Sequence, residues 1–435
     1  MSQDATQHTK RARKPQAGRP AAPSPEESER DLPLKIQMRR LFWAMGSSTV
    51  LDVKLRAYVS GDARGAGWQE FTDLDVLGVG FAAGGHPRLT LADCKTVTRR
   101  AIERMFWVRG VADFFSADEA FMVRSSTVPM AARALSNRLN VGVLDPDDYT
   151  ALAATFPSAV NLDGVLGCLF DLDCVRRQAD NTAGLDRRLE ALVDFLRFDY
   201  WVYEPYRNLT QVVAHLAVAK EWLDPANPRH VSIFFEAAWR YAFALAQAAY
   251  HVRTSRMGDV PTAVRTYVAG GELALREKMQ LAELLHKAGI ALDAKAAVLP
   301  PYADFLAELL TRLLRHPSEA AELLRYGEYV AMAVLVGENA TVATAFGPGT
   351  RPVAAKLLAD VCGFLVTTAG LRSDFRSIAR EYLVLDLTGG AANMPARSRV
   401  GVEEARADDN GTGHLQPAQS TPPLIDATPP SQSDE

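Results

Sequence analysis

Two stretches of the sequence set charge inside apolar surroundings. "FTDLDVLGVGF" carries Asp73 and Asp75, and "RLTLADCK" ends on Asp93 and Lys95. Buried charges are costly unless they are paired, so these four residues call for a reason. Side chains alternate faces along a strand. On that pattern Asp73 and Asp75 share a face with Leu77 and Val79, and Leu91 shares one with Asp93 and Lys95. If the two strands pair as the arms of a hairpin, Asp75 lies beside Asp93. Two adjacent carboxylates repel unless a cation sits between them. Oxygen donors of this kind suit Mg²⁺ or Mn²⁺, and a lysine two residues on adds an ammonium. A hard cation beside a lysine suits hydrolysis of phosphodiesters. Two other Asp-x-Lys triplets lack this context. Asp52-Val53-Lys54 has no acidic strand before it, and Asp293-Ala294-Lys295 lies in helical sequence.

The elements that must hold these residues follow from the local patterns. Residues 34–46 read as a helix ending at Gly46. "TVLDVKLRAYV", "FTDLDVLGVGF" and "RLTLADCK" read as three strands separated by the glycine turns "GDARGAG" and "AAGGHP". "TVTRRAIERMFWVRGVADFF" reads as a helix, "AFMVRS" as a strand, "VPMAARALSNRLN" as a helix and "VGVLD" as a last strand. The order α-βββ-α-β-α-β calls for an α/β domain with a mixed sheet flanked by helices. From about Asp147 to Val384, apolar residues recur at three- and four-residue spacing in segment after segment, which predicts an all-α region.

The stretch from about residue 50 to 145 resembles the PD-(D/E)xK nuclease superfamily, with its restriction-endonuclease-like fold, and is nearest in feel to the Mrr-like and archaeal-resolvase-like branch. "DLDVLGV" and "LADCK" stand where members carry an acidic strand and the E/D-x-K strand. "AFMVRSSTVPMAARALSNRLNVGVLDPDD" is similar to the closing pattern of that branch. The resemblance covers about a quarter of the chain. It implies a Mg²⁺- or Mn²⁺-dependent endonuclease, acting on DNA more than RNA, in defence or repair. Asp75, Asp93 and the backbone carbonyl of Cys94 would be metal ligands. Lys95 would orient water and offset transition-state charge, and Asp73 would be an accessory acid. Many members carry a glutamate on the helix before the strands. "LKIQMRRLFWAMG" has none, so either Glu70 or another acid substitutes, or the site binds fewer metals.

The resulting layout is a basic, Pro-rich tail over 1–31, a nuclease-like domain over 32–146, an all-α domain over 147–387 and an acidic tail over 388–435. Both tails read as disordered. Across 435 residues the composition is 48% hydrophobic and 23% charged, with net charge -4, which argues against a globally basic nucleic-acid binder. A local excess remains: Lys95 to Arg138 holds eight basic and four acidic residues, and Arg99, Arg100 and Arg104 are the candidate phosphate contacts. Four scattered cysteines fit neither a disulfide framework nor a zinc site, and point to a reducing cytoplasm. No uncharged apolar run of about 18 residues is seen, so no membrane partner is expected. The aromatic span "RFDYWVYEPYR" reads as packing, with base stacking as the sharper alternative, and the scattered histidines read as packing or surface residues. The all-α region would bind a protein partner or form a homo-oligomer. Two other readings stay open: a catalytically inactive nuclease fold that binds nucleic acid, and a helical scaffold protein.

Overall fold

The structure, a computed structural model, describes residues 25–59, 67–82, 84–96, 101–158, 160–183, 185–255, 258–289 and 299–383. The N-terminal elements are helix α1 (Pro25–Ala44), strands β1 (Ser48–Val59), β2 (Gly67–Ala82) and β3 (His86–Lys95), helix α2 (Ala101–Phe115), β4 (Glu119–Arg124), α3 (Met130–Leu139) and β5 (Gly142–Leu144). They form one mixed five-stranded sheet in the order β1-β2-β3-β4-β5. β1, β2 and β3 pair antiparallel, while β4 and β5 join parallel to β3. Element types and order match the sequence reading. One boundary differs: α1 begins at Pro25, so residues 25–31 are helix rather than tail. The rest of both predicted tails lies outside the described residues.

Two apolar clusters sandwich the sheet. On one face, Met38, Leu41 and Phe42 of α1 pack on Val76, Ala92, Cys94 and Val123. On the other, Met105 and Val108 of α2 join Leu77 and Leu91 in a larger core that runs on into the helices. α1 approaches β2 closely at Gly78, where a Cβ would come within 2.8 Å of the Phe42 ring.

The strands do not alternate faces throughout. Leu51 and Val76 pair with one another and pack in the α1 cluster, whereas Val53 and Leu74, the next pair, lie in the main core. Between them sit Asp52, held in the left-handed region at φ 53°, and Asp75. Aspartate tolerates that conformation better than most residues. The change of face falls at the two aspartates, so the expected sharing of one face by Asp73, Asp75 and Leu77 does not hold there.

The remaining chain is mostly helical: α4 (Pro146–Ala154), α5 (Leu172–Ala183), α6 (Glu190–Arg197), α7 (Pro205–Ala219), α8 (Pro228–Thr254), α9 (Val260–Ala269), α10 (Glu272–Lys287), α11 (Ala303–Arg315), α12 (Ala320–Val336), α13 (Val342–Phe346), α14 (Pro352–Ala369) and α15 (Asp374–Leu383). Sheet and helices share one core within a single compact unit. α8 and α12 are its axis, packed so closely that Gly327 leaves no room for a Cβ against Trp239. By length and composition α14 could cross a membrane. Lys356 and Asp360 interrupt its apolar sequence. Here it packs against α7, α8 and α12.

The seam between sheet and helices is polar at one point. Glu328 of α12 is 1% exposed and accepts four hydrogen bonds from the N-terminal region. The donors are Arg39 Nη2 (2.8 Å), Trp43 Nε1 (2.8 Å), the Thr49 amide (2.9 Å) and Thr49 Oγ1 (2.6 Å). A buried carboxylate needs such company, since isolated burial would be prohibitive.

Candidate active site

Val76 pairs with Ala92 across β2 and β3, which brings Asp75 level with Asp93 where the two strands end their pairing. Both aspartates are buried, at 3% and 1% exposure. Lys95 closes β3 on the same side chain row as Asp93, and keeps 21% of its side chain exposed. Of the four residues singled out from the sequence, Asp75, Asp93 and Lys95 are therefore brought to one end of the β2–β3 pair.

Asp75 is held from several directions. Its Oδ2 accepts the Cys94 amide at 2.8 Å and lies 3.2 Å from Lys95 Nζ. Its Oδ1 lies 3.0 Å from Nζ of Lys35, on α1. Burial pulls the Asp75 carboxyl upward, but the charges of Lys35 and Lys95 outweigh it and leave the group below its ordinary value. Lys35 is itself buried and reaches Asp52 Oδ1 at 2.5 Å, so its ammonium bridges two carboxylates. Burial disfavours that ammonium, yet Asp75 and Asp52 more than compensate and raise its pKa.

Asp93 is held by α2. Arg104 donates to both of its oxygens, from Nε at 2.9 Å and from Nη2, and stacks over Trp107 at 3.6 Å. Burial nevertheless pushes the Asp93 carboxyl above its ordinary value, against the pull of Arg104 and with the Asp75 charge adding to the rise. The two carboxylates thus act on each other, while each is bound to a helix on a different side of the sheet.

The sequence reading missed two members of the cluster. Asp31, one turn before Lys35 on α1, lies 3.4 Å from Lys95 Nζ through Oδ2. Its Oδ1 accepts the Thr96 amide at 2.9 Å and Thr96 Oγ1 at 2.7 Å. Lys35 is the other. The available signal was Pro25 with Glu26 and Glu27, a helix start with acids in the first turn. Asp31 is an acid on the helix before the strands that reaches Lys95. Glu70 does not: it pairs with Lys54 at 3.0 Å, five residues and about 16 Å along the strand from Asp75. Asp52, set aside as part of a chance triplet, belongs to the network through Lys35.

Other expectations fare unevenly. Asp73 is half-buried and no ion pair is found for it among the described residues. Arg104 is occupied by Asp93 and is not a free phosphate contact in this arrangement, because a buried carboxylate at its side demands a cation. Arg99 and Arg100 lie outside the described residues. The Cys94 thiol is buried and pushed well above its ordinary value by that burial, which makes it no nucleophile. In the aromatic span, Phe198 and Tyr200 are buried, with Tyr200 Oη donating to the Arg240 carbonyl at 2.6 Å, so packing is the role the structure gives them.

The donor set, carboxylates and a backbone carbonyl, fits a hard divalent cation in kind. Lys35 and Lys95 act as stand-in cations, each bridging two carboxylates. Among the described residues no group of three His, Cys, Asp or Glu is arranged to hold a metal ion. A divalent ion would compete with Lys35 and Arg104 for the same oxygens. No family model, curated protein or solved structure matches the chain.

Proposed function

We propose that this chain is a phosphodiesterase of nuclease-like build, cutting nucleic acid, with DNA as the first substrate to try. The supporting observation is the position of Lys95. Its ammonium lies within 3.4 Å of Asp75 from β2 and Asp31 from α1, on the same strand as Asp93, at the end of the sheet where the side chain still meets solvent. Acids from a helix and two strands around one lysine suit a site that handles phosphate and water.

The residues divide the work as follows. Lys95 stays protonated: burial disfavours its charge, but Asp75, Asp93 and Asp31 raise its pKa. It therefore donates from Nζ, to a water or to a phosphoryl oxygen gaining charge, and does not take up a proton. Asp31 and Asp75 fix the direction of that ammonium, and the Cys94 amide fixes Asp75. Arg104 holds Asp93 in place and neutralises it. Asp75, Asp93 and the Cys94 carbonyl are the groups that would hold Mg²⁺ or Mn²⁺, whose Lewis acidity would stabilise developing negative charge.

A second reading is favoured by the forked Arg104–Asp93 pair, which closes one carboxylate entirely. In that reading the chain binds nucleic acid without cutting it. Incubating the full chain with plasmid and linear DNA in Mg²⁺, Mn²⁺ or EDTA separates the two. Cleavage that needs the metal and Lys95 supports the first. Retention of DNA without any cleavage in either metal sinks it.

A further inference from the structure

A cavity of about 330 Å³ opens on the far side of β1 from the β2–β3 pair. α1 and β1 form one wall, and α5, α6 and α8 form the others. The volume falls at the lower end of small-molecule sites. Leu51, Val175, Val193, Leu196 and Ile233 give it an apolar surface. Four arginines reach it: Arg39, Arg176, Arg197 and Arg240.

Three of these are answered by acids, Arg39 through Glu328. Arg240 pairs with Glu236 inside the cavity, and Arg176 pairs with Glu29 at its exposed rim. Arg39 and Arg197 are only partly satisfied, as is Arg240, whose Nε has no partner among the described residues. Arg39 is 2% exposed and gives Nη2 to Glu328, but its Nε and Nη1 make no hydrogen bond to any described residue. Among the described residues Arg197 has a single hydrogen-bond partner, the neutral Thr182 Oγ1 at 2.9 Å, and no ion pair with a carboxylate. Burial draws the Arg197 guanidinium below its ordinary pKa, with Arg240 adding to the fall and the charges of Asp52, Glu236 and Asp194 pulling the other way. The unmet Arg39 nitrogens are closed off from the cavity, whereas half-buried Arg197 keeps its remaining donors in the cavity wall, and such donors beside an open volume mark a place for an anion.

Acceptors line the same cavity among the arginines: Asp52, Asp180 and Gln178 present them, and Thr49 and Thr182 carry hydroxyls beside Arg39 and Arg197. Carboxylates placed this way accept from ligand hydroxyls, while guanidinium groups suit phosphate. We propose that this cavity is a binding site for a small phosphate monoester that carries hydroxyl groups, a sugar phosphate or a mononucleotide. Arg197 takes the phosphate, the apolar wall takes the body, and Asp52 and Asp180 take hydroxyls. The site is separate from the Asp75–Asp93–Lys95 cluster and stands whether or not that cluster cuts nucleic acid.

Calorimetry and thermal melting of the full chain test this with inorganic phosphate, ribose 5-phosphate, adenosine 5′-monophosphate, and neutral ribose and adenosine. The esters are expected to bind and raise the melting temperature, and the neutral compounds are not. Binding of ribose 5-phosphate alone, or of the nucleotide alone, identifies which body the apolar wall accepts. Arg197→Gln should weaken ester binding by about tenfold or more, the loss of one charge-assisted contact. Thr182→Val is the second variant. It releases Arg197 without touching a charge and should weaken binding less. Arg265→Gln, on the surface and paired with Asp304, should bind as wild type does. The proposal is overturned if neither ester binds at millimolar concentration, if inorganic phosphate or the neutral compounds bind as tightly as the esters, or if Arg197→Gln leaves binding unchanged.

Discussion

The Lys35 ammonium lies 3.0 Å from Asp75, in a position where a divalent cation would otherwise compensate that buried carboxylate. Replacing it tests how far the cluster depends on internal cations. Lys35→Met should destabilise the fold by about 3–5 kcal/mol, the usual cost of leaving a buried ion without its partner. Part of that loss should be recovered by added Mg²⁺ or Mn²⁺, and calorimetry should show tighter metal binding than in wild type. Equal metal binding in both proteins would mean that the ion does not use Asp75.

Lys95→Ala should lower the cleavage rate by about 10²–10³-fold, the scale of one lost donor to developing charge, while DNA binding is retained. Asp31→Asn should do less to the rate, since it weakens only the hold on Lys95 and the contacts with Thr96. Gel assays of cutting and of binding, run side by side on both variants, check this. An intact rate in Lys95→Ala would place any activity elsewhere.

Much of this arrangement could be read from the residue pattern. The β-branched and apolar runs gave the strands, glycines gave the turns, and the lysine closing an apolar strand gave the cluster. What failed were inferences from simple periodicity. The helix reading began at residue 34, yet α1 runs through Pro33 from Pro25, so Asp31 fell in a stretch whose composition looked like tail. Strict alternation put Asp75 on the face of Leu77, because nothing in "VLDVK" announces that Asp52 takes a left-handed conformation. Ion pairing was invisible for a different reason. Lys35 and Arg104 lie far from their partners in sequence or on another element, and composition carries no information on which charges meet.

Acid should reveal the Asp75 pairs. The carboxyl titrates below its ordinary value in the folded chain, so its ionised form stabilises the fold fully above an unfolded pKa of about 3.9. That contribution fades as pH falls through the lower folded value. The stability gap between wild type and Asp75→Asn, followed by denaturant unfolding, should be constant near neutrality and shrink below about pH 4. A gap that widens in acid would reverse the sign.

Glu328→Gln keeps the shape of the seam but leaves the Arg39 guanidinium buried without its counter-charge. A loss of about 3–5 kcal/mol is expected. Since sheet and helices share one core, the melt should remain a single transition at lower temperature. Two separated transitions would show that the sheet folds without the helices.

The same carboxylate sets a timetable for synthesis. Arg39 leaves the ribosome 289 residues before the Glu328 that neutralises it. At about 5–20 residues per second that is a wait of roughly 15–60 s. Through that interval the nascent sheet carries Arg39, Trp43 and Thr49 with their donors unanswered at a face meant for burial. The early chain is then a natural client for whatever shields unfinished polypeptides, and slow translation beyond residue 300 would lengthen its exposure more than a pause of the same duration before α1.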